Sequence, residues 1–362
     1  VSTGALRPDV EAAMAAEPTG DRDRAYAASM ARSRLGTVGW MAVGAGAATA
    51  AAWAAAEVSA RRIRSRTDPA NDALRPPPSD VVHRSIDTAD GASLHVVERG
   101  QGRPLLLMHG VTLQWWVWGA QFNTLADRYR VLAWDMRGHG RSTVGSEGIT
   151  LEAIADDIAA VLEDLDLRDA ILVGHSMGGM ALGRFCARHE DLMIERCGGL
   201  MFLDTSAAPL ALPGRLDGNV RAEELVRRAA YAGTSRPRVR YTWPDSTPSV
   251  LMARSAFGRR PSATAVLDVR EMLSVMDQDN LLAAGRAIVD HDVRSDLAHV
   301  KVPAMVVVGS ADRLTPVSQA RVLADSIPGS VLRVLPGIGH QTMQEDPVRF
   351  AELVDELSTL SP

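Results

Sequence analysis
The chain has 362 residues, 46% of them hydrophobic and 23% charged, enough for one sizeable domain with insertions. A net charge of −5 gives no reason to expect nucleic acid as a partner. Of 39 basic residues only Lys301 is a lysine, the mark of a GC-rich coding sequence rather than a functional device.

Residues 1–34 are polar and alanine-rich with mixed charges. Leu35 to Ala56 carry no charge over 22 residues, enough as a helix to span about 30 Å of hydrocarbon. Ten alanines and four glycines make such a span marginal, whereas small residues at Gly44, Ala48, Ala52 and Ala56 suit helix pairing in lipid. A signal-like segment and a helix packed on the protein itself are the alternatives. The reading adopted is a hydrophobic helix over 35–58 that anchors the protein to a membrane through residues 35–56, with a cytoplasmic location otherwise. Residues 59–80, with Pro69 and Pro76-Pro77-Pro78, read as a stiff linker.

Alternating residues over Val81–Ile86 and Ser93–Glu98, around Ala89-Asp90-Gly91, predict an antiparallel hairpin. The apolar run 104–109 predicts a strand ending at His109-Gly110, after which the backbone N–H of Val111 is available to an oxyanion. A helix over 118–128 and a strand over 130–135 follow. Thr150 caps a helix that carries Leu151, Ile154, Ile158, Val161, Leu162 and Leu165 at helical spacing. Cys186, mid-helix, and Cys197 lack metal-ligand spacing and read as buried, inert thiols.

The strand Ala170–His175 runs into Gly174-His175-Ser176-Met177-Gly178 and then a helix. A turn this sharp strains its central residue and presents the Ser176 hydroxyl at the helix N-terminus, with glycines where strand and helix come close. The N–H of Met177 would be the second oxyanion donor. A strand over 199–204 ends in Asp204. From 208 to 300 the α/β alternation gives way to helices, 221–231 and 262–277 among them, and arginines and acids nearly balance. The strand 302–309 leads to Asp312, and the strand 331–335 to a glycine-rich loop ending in His340. Ser176, Asp312 and His340 are the candidate nucleophile, orienting acid and base, with Asp204 the rival acid. His109 and His175 on strand ends read as packed histidines, and Arg137 and His139 as parts of a structural turn. Trp115 and Trp116, and Trp243 with Tyr241 and Met252, are candidate substrate contacts; the first two could equally anchor the helix after them.

With the elbow, the stretches Asp135-Met136-Arg137-Gly138-His139-Gly140-Arg141-Ser142, Gly309-Ser310-Ala311-Asp312 and Gly339-His340 resemble the α/β-hydrolase superfamily from about residue 81 to the C-terminus. The resemblance implies a mostly parallel eight-stranded sheet with helices on both faces, formed by 81–207 and 301–362. It also implies a helical cap, 208–300, inserted after the sixth strand, with the hydrophobic N-terminal helix outside the fold. The chemistry implied is hydrolysis of a small apolar ester through an acyl-enzyme, without metal or organic cofactor. Perhydrolase (haloperoxidase-like) and C–C bond hydrolase chemistry use the same triad, and a non-catalytic membrane-tethered binding protein is the rival of another class. Epoxide hydrolases and haloalkane dehalogenases share the fold but use an aspartate nucleophile, against Ser176.

Overall fold
The apolar runs at 104–108, 170–175, 197–203 and 304–309 form the centre of an eight-stranded sheet, because a strand covered on both faces has no side to turn to water. A computed structural model describes residues 52–208, 244–289 and 291–360. The chain divides into two units, Val1–Val58 and Ser59–Pro362. Of the first, residues 52–58 are described and are helical.

In the second unit the strands are β1 (Val82–Asp87), β2 (Ser93–Arg99), β3 (Arg103–Met108), β4 (Tyr129–Trp134), β5 (Ala170–His175), β6 (Cys197–Leu203), β7 (Ala304–Gly309) and β8 (Val331–Leu335). They lie in the order β1-β2-β4-β3-β5-β6-β7-β8. β1 and β2 form the antiparallel hairpin and β2 pairs antiparallel with β4, after which every pairing is parallel. The two-residue period of a strand then divides the core in two. Leu106, Met108, Leu132, Trp134 and Leu172 face the helices Leu151–Asp164 and Met177–Arg188. Leu105, Leu107, Val131, Ala133, Ile171 and Val173 face Trp118, Phe122 and the C-terminal helix Pro347–Leu360. Thr150 caps its helix by accepting the Ala153 N–H.

The described part of 208–300 is helical: Thr247–Ser255, Ala263–Val275, Gln278–Val289 and Arg294–Leu297. The helix expected over 221–231 lies outside the described residues, as do Tyr241 and Trp243. The helix expected over 118–128 is shorter: Trp115–Trp118 winds as a 3-10 turn and the α-helix runs Gly119–Leu125. A Cβ at Gly119 would come within 1.9 Å of the Arg75 carbonyl oxygen, so the chain before the hairpin lies directly on this helix.

The linker expected over 59–80 is therefore packed structure. Residues 59–64 are helical, and Ala60 and Ile63 are buried in one apolar cluster with Val250, Ala253, Ala265 and Val269 of the inserted helices. Arg75 donates from Nη2 to the Gln344 carbonyl at 2.6 Å, and Asn123 donates to the carbonyls of Leu74 and Pro76. Of the anchor expected over 35–56, residues 35–51 lie outside the described residues. No helix among the described residues is long and apolar enough to cross a membrane, so the anchor and the membrane partner find no support.

Candidate active site
Parallel strands end on one edge, and the loops after β3, β5, β6, β7 and β8 gather there. Ser176 follows β5 at φ 52°, ψ −117°, a conformation costing roughly 1–3 kcal/mol for a residue with a side chain. Its neighbours over-determine it. The Ser176 N–H donates to the Leu203 carbonyl at 3.0 Å, and the Ser176 carbonyl accepts from Thr205 Oγ1 at 2.7 Å and from the N–H groups of Gly179 and Met180. The flanking glycines are forced: a Cβ on Gly174 would meet the Gly179 Cα at 2.6 Å, and one on Gly178 the His109 carbonyl at 2.8 Å. Gly110 lies against the elbow itself, where a Cβ would be 2.9 Å from the Ser176 Cβ.

His340 Nδ1 lies 2.8 Å from Asp312 Oδ2. Asp312 is fixed in turn: Oδ1 accepts the N–H groups of Leu314 (2.8 Å) and Thr315 (2.9 Å), and Oδ2 accepts the Thr315 hydroxyl at 2.7 Å. An ionised carboxylate makes Nδ1 the donor, leaving Nε2 of His340 with a free lone pair. Asp204, the rival acid, does not reach the imidazole. Its oxygens accept the N–H groups of Gly309 (3.0 Å) and Thr342 (3.1 Å), tying the end of β7 to the segment after His340. Among the described residues Ser176 Oγ makes no hydrogen bond, and the N–H groups of Val111 and Met177 donate none. Met177 is the first residue of its helix, where N–H groups have no partner in the helix.

The electrostatics set two acids and three histidines apart. Burial opposes charge on Asp312, but the His340 charge and the hydrogen bonds outweigh it and hold the carboxyl below the usual range. Burial likewise opposes charge on His340, yet Asp312 pulls its pKa above the ordinary value. Asp204 is pushed up to about 7 by burial and by the Asp312 charge. Burial and the neighbouring His340 hold His175 near 3; burial and His139 do the same to His109. These two are neutral supports. His175 Nε2 donates to the His340 carbonyl at 2.8 Å, and His109 bridges the Gly110 carbonyl (Nδ1, 2.7 Å) and the Met136 N–H (Nε2, 3.0 Å). Arg137 is buried between Asp90 and Asp157, and His139 bonds the Arg137 carbonyl, a structural turn.

Trp115 packs edge-on against His83, His95 and Phe122 while its backbone N–H donates to Asp135 Oδ1, the contacts of an anchor. Trp116 donates from Nε1 to Gln114 at 3.0 Å. Met252 is exposed, and Trp243 lies outside the described residues. Burial pushes the Cys197 thiol up to about 12 and likewise raises the Cys186 thiol well above its ordinary value. Among the described residues no three His, Cys, Asp or Glu are grouped to hold a metal ion.

Two residues near His340 escape sequence reasoning. Thr315, three residues past Asp312, bonds both members of the acid–base pair, its hydroxyl lying 3.1 Å from His340 Nδ1. Glu345 is pushed up to about 7 by burial and accepts the N–H groups of Gly339 at 2.8 Å and Gly258 at 2.9 Å. The His340 N–H itself donates to the Ala256 carbonyl at 2.7 Å. The inserted helices are thus fastened to the His340 loop.

A strained serine at a strand–helix turn of such a sheet defines a hydrolytic enzyme. The sequence profile of the alpha/beta hydrolase family matches residues 105–353, and the chain belongs to that family. Among its relatives, the AB hydrolase superfamily protein YisY of Bacillus subtilis is 29% identical over 75% of this chain and 98% of its own. The non-heme chloroperoxidase CPO-A1 of Kitasatospora aureofaciens is 29% identical over 70% of this chain and 90% of its own. A thermophilic esterase from Thermogutta terrifontis superposes with a TM-score of 0.64 at 28% identity, over 78% of this chain and all of that one. A bromoperoxidase from Bacillus anthracis, at 21% identity, shares the fold with a TM-score of 0.66 over 77% of this chain and all of its own.

Proposed function
We propose that this hydrolase cleaves carboxylic esters with Ser176 as nucleophile, His340 as base and Asp312 as orienting acid. The observation that carries the reading is the Asp312–His340 hydrogen bond of 2.8 Å, in the loops that gather around the strained Ser176. Nε2 of His340 takes the Ser176 proton as Oγ attacks the ester carbonyl, and the oxyanion rests on the unengaged N–H groups of Val111 and Met177. The imidazolium returns its proton to the departing alcohol. Water then repeats the sequence on the acyl-enzyme, while the Asp312 carboxylate stabilises the charged imidazole in both halves.

A second reading, perhydrolysis by the same acyl-enzyme with hydrogen peroxide replacing water, is favoured by the relatives named as non-heme chloroperoxidases and haloperoxidases. One experiment addresses both. A fluorophosphonate should label Ser176 and abolish turnover of p-nitrophenyl esters of graded chain length, and added peroxide should partition the acyl-enzyme only in the second case. Ser176→Ala protein that folds and keeps more than a few per cent of the ester turnover refutes both readings.

A further inference from the structure
A cleft of about 780 Å³ opens beside the Asp312 loop, on residues 59–66 and the end of the helix Thr247–Ser255. Arg62, Arg66, Arg254, Arg259 and Arg313 line it, against one acid, Asp312, whose oxygens are occupied by His340, Leu314 and Thr315. Several arginines elsewhere are matched: Arg84 and Arg130 share Glu98, Arg128 pairs with Asp355, Arg188 with Asp156 and Arg137 with Asp90 and Asp157. Among the described residues none of the five cleft arginines forms an ion pair. Two of them instead converge on one acceptor: Arg66 Nη1 (3.5 Å) and Arg254 Nη2 (3.3 Å) both donate to the Arg259 carbonyl. Like charges are brought together here in a chain whose net charge is −5. Burial and the charges of Arg66 and Arg313 depress the half-buried Arg254 guanidinium, outweighing the opposing pull of Glu345.

We infer that this cleft binds a multiply charged oxyanion, a phosphoryl or pyrophosphoryl group carried on a soluble molecule or a lipid headgroup. A single carboxylate would neutralise one of five positive charges, whereas a phosphoryl or pyrophosphoryl group carries more than one negative charge and presents several oxygens to planar guanidinium forks. The volume leaves room for the group that bears it. Neither Ser176 nor His340 lines the cleft, so binding there needs no turnover and does not depend on the esterase reading.

The test uses the full chain at low salt, titrated calorimetrically with inorganic pyrophosphate, and in a second arm floated with vesicles of four parts phosphatidylcholine to one of phosphatidic acid. Arg62 and Arg313 are exposed and unpaired, so Arg62→Gln/Arg313→Gln removes two positive charges without disturbing the fold. Arg321→Gln, exposed and unpaired on the helix Val317–Ser326, is the control. The expected result is saturable binding that the double variant weakens by about tenfold or more and the control leaves unchanged. Pyrophosphate binding identifies a soluble ligand; binding to the vesicles alone identifies a headgroup. Binding to neither probe, or equal loss in the double variant and the control, overturns the inference.

Discussion

Asp312→Asn is the sharpest perturbation available, because it changes one atom of a fully bonded carboxylate. The amide oxygen can still accept the N–H groups of Leu314 and Thr315, which Oδ1 accepts at 2.8 and 2.9 Å. The amide nitrogen then replaces Oδ2, and it donates where Oδ2 accepted. The Thr315 hydroxyl can turn and accept, but the imidazole can accept at Nδ1 only by moving its proton to Nε2. That places the proton on Nε2, the atom proposed to take the Ser176 proton, and would remove the base. The corresponding change in a serine protease lowers kcat by roughly 10⁴, or about 5.4 kcal/mol at 1.36 kcal/mol per decade. Asp204→Asn makes the contrast, since both Asp204 oxygens accept backbone N–H groups and neither meets the imidazole. It should cost about 1–3 kcal/mol of stability from an unsatisfied N–H, and far less kcat. Steady-state kinetics on a p-nitrophenyl ester, beside urea unfolding of each variant, separates the two effects. A larger loss of kcat in Asp204→Asn than in Asp312→Asn refutes the assignment of the acid.

The raised His340 pKa sets the acid limb of the rate profile, because only neutral imidazole can take the serine proton: kcat/KM should reach half its plateau above the ordinary value of about 6.5. A limb at or below that value in a pH series would show that Asp312 does not stabilise the imidazolium. Gly110→Ala drives a Cβ to 2.9 Å from the Ser176 Cβ and 3.0 Å from His175 Nδ1. Activity should drop about 100-fold with displacement of the nucleophile, while the unfolding midpoint barely moves; an unimpaired variant would mean that the elbow has slack. Ile63→Ala, at a site 6% exposed, should cost about 2–5 kcal/mol in urea unfolding. A change under about 0.5 kcal/mol, the scatter of ordinary surface substitutions, would return residues 59–64 to the status of a tether.

What the sequence made legible was local. Ser176 stands out because a strand, two glycines and a helix start are contiguous, and Asp312 and His340 because each follows an apolar run. The sequence left Asp204 as a rival since both acids end strands, and only the hydrogen-bond directions separate them. Glu345 was invisible because its partners are the backbone N–H groups of Gly258 and Gly339, which carry no side-chain signal. Residues 59–80 misled for another reason. Ala60 and Ile63 offer only two apolar positions one turn apart among arginines, and the prolines that follow read as stiffness although Arg75 and Pro76 are held by Gln344 and Asn123.

The Glu345 carboxylate holds Gly258 and Gly339 together, and the Ala256 carbonyl holds the backbone of the candidate base. The inserted helices and the candidate base are consequently one mechanical part. If the inserted helices lift at Phe257-Gly258, the His340 loop must either follow or lose the bonds from Gly258 to Glu345, from His340 to Ala256 and from Arg259 to Gly337. Opening would then loosen the candidate base, so that movement of the inserted helices and the readiness of Ser176, as the proposed nucleophile, would be coupled.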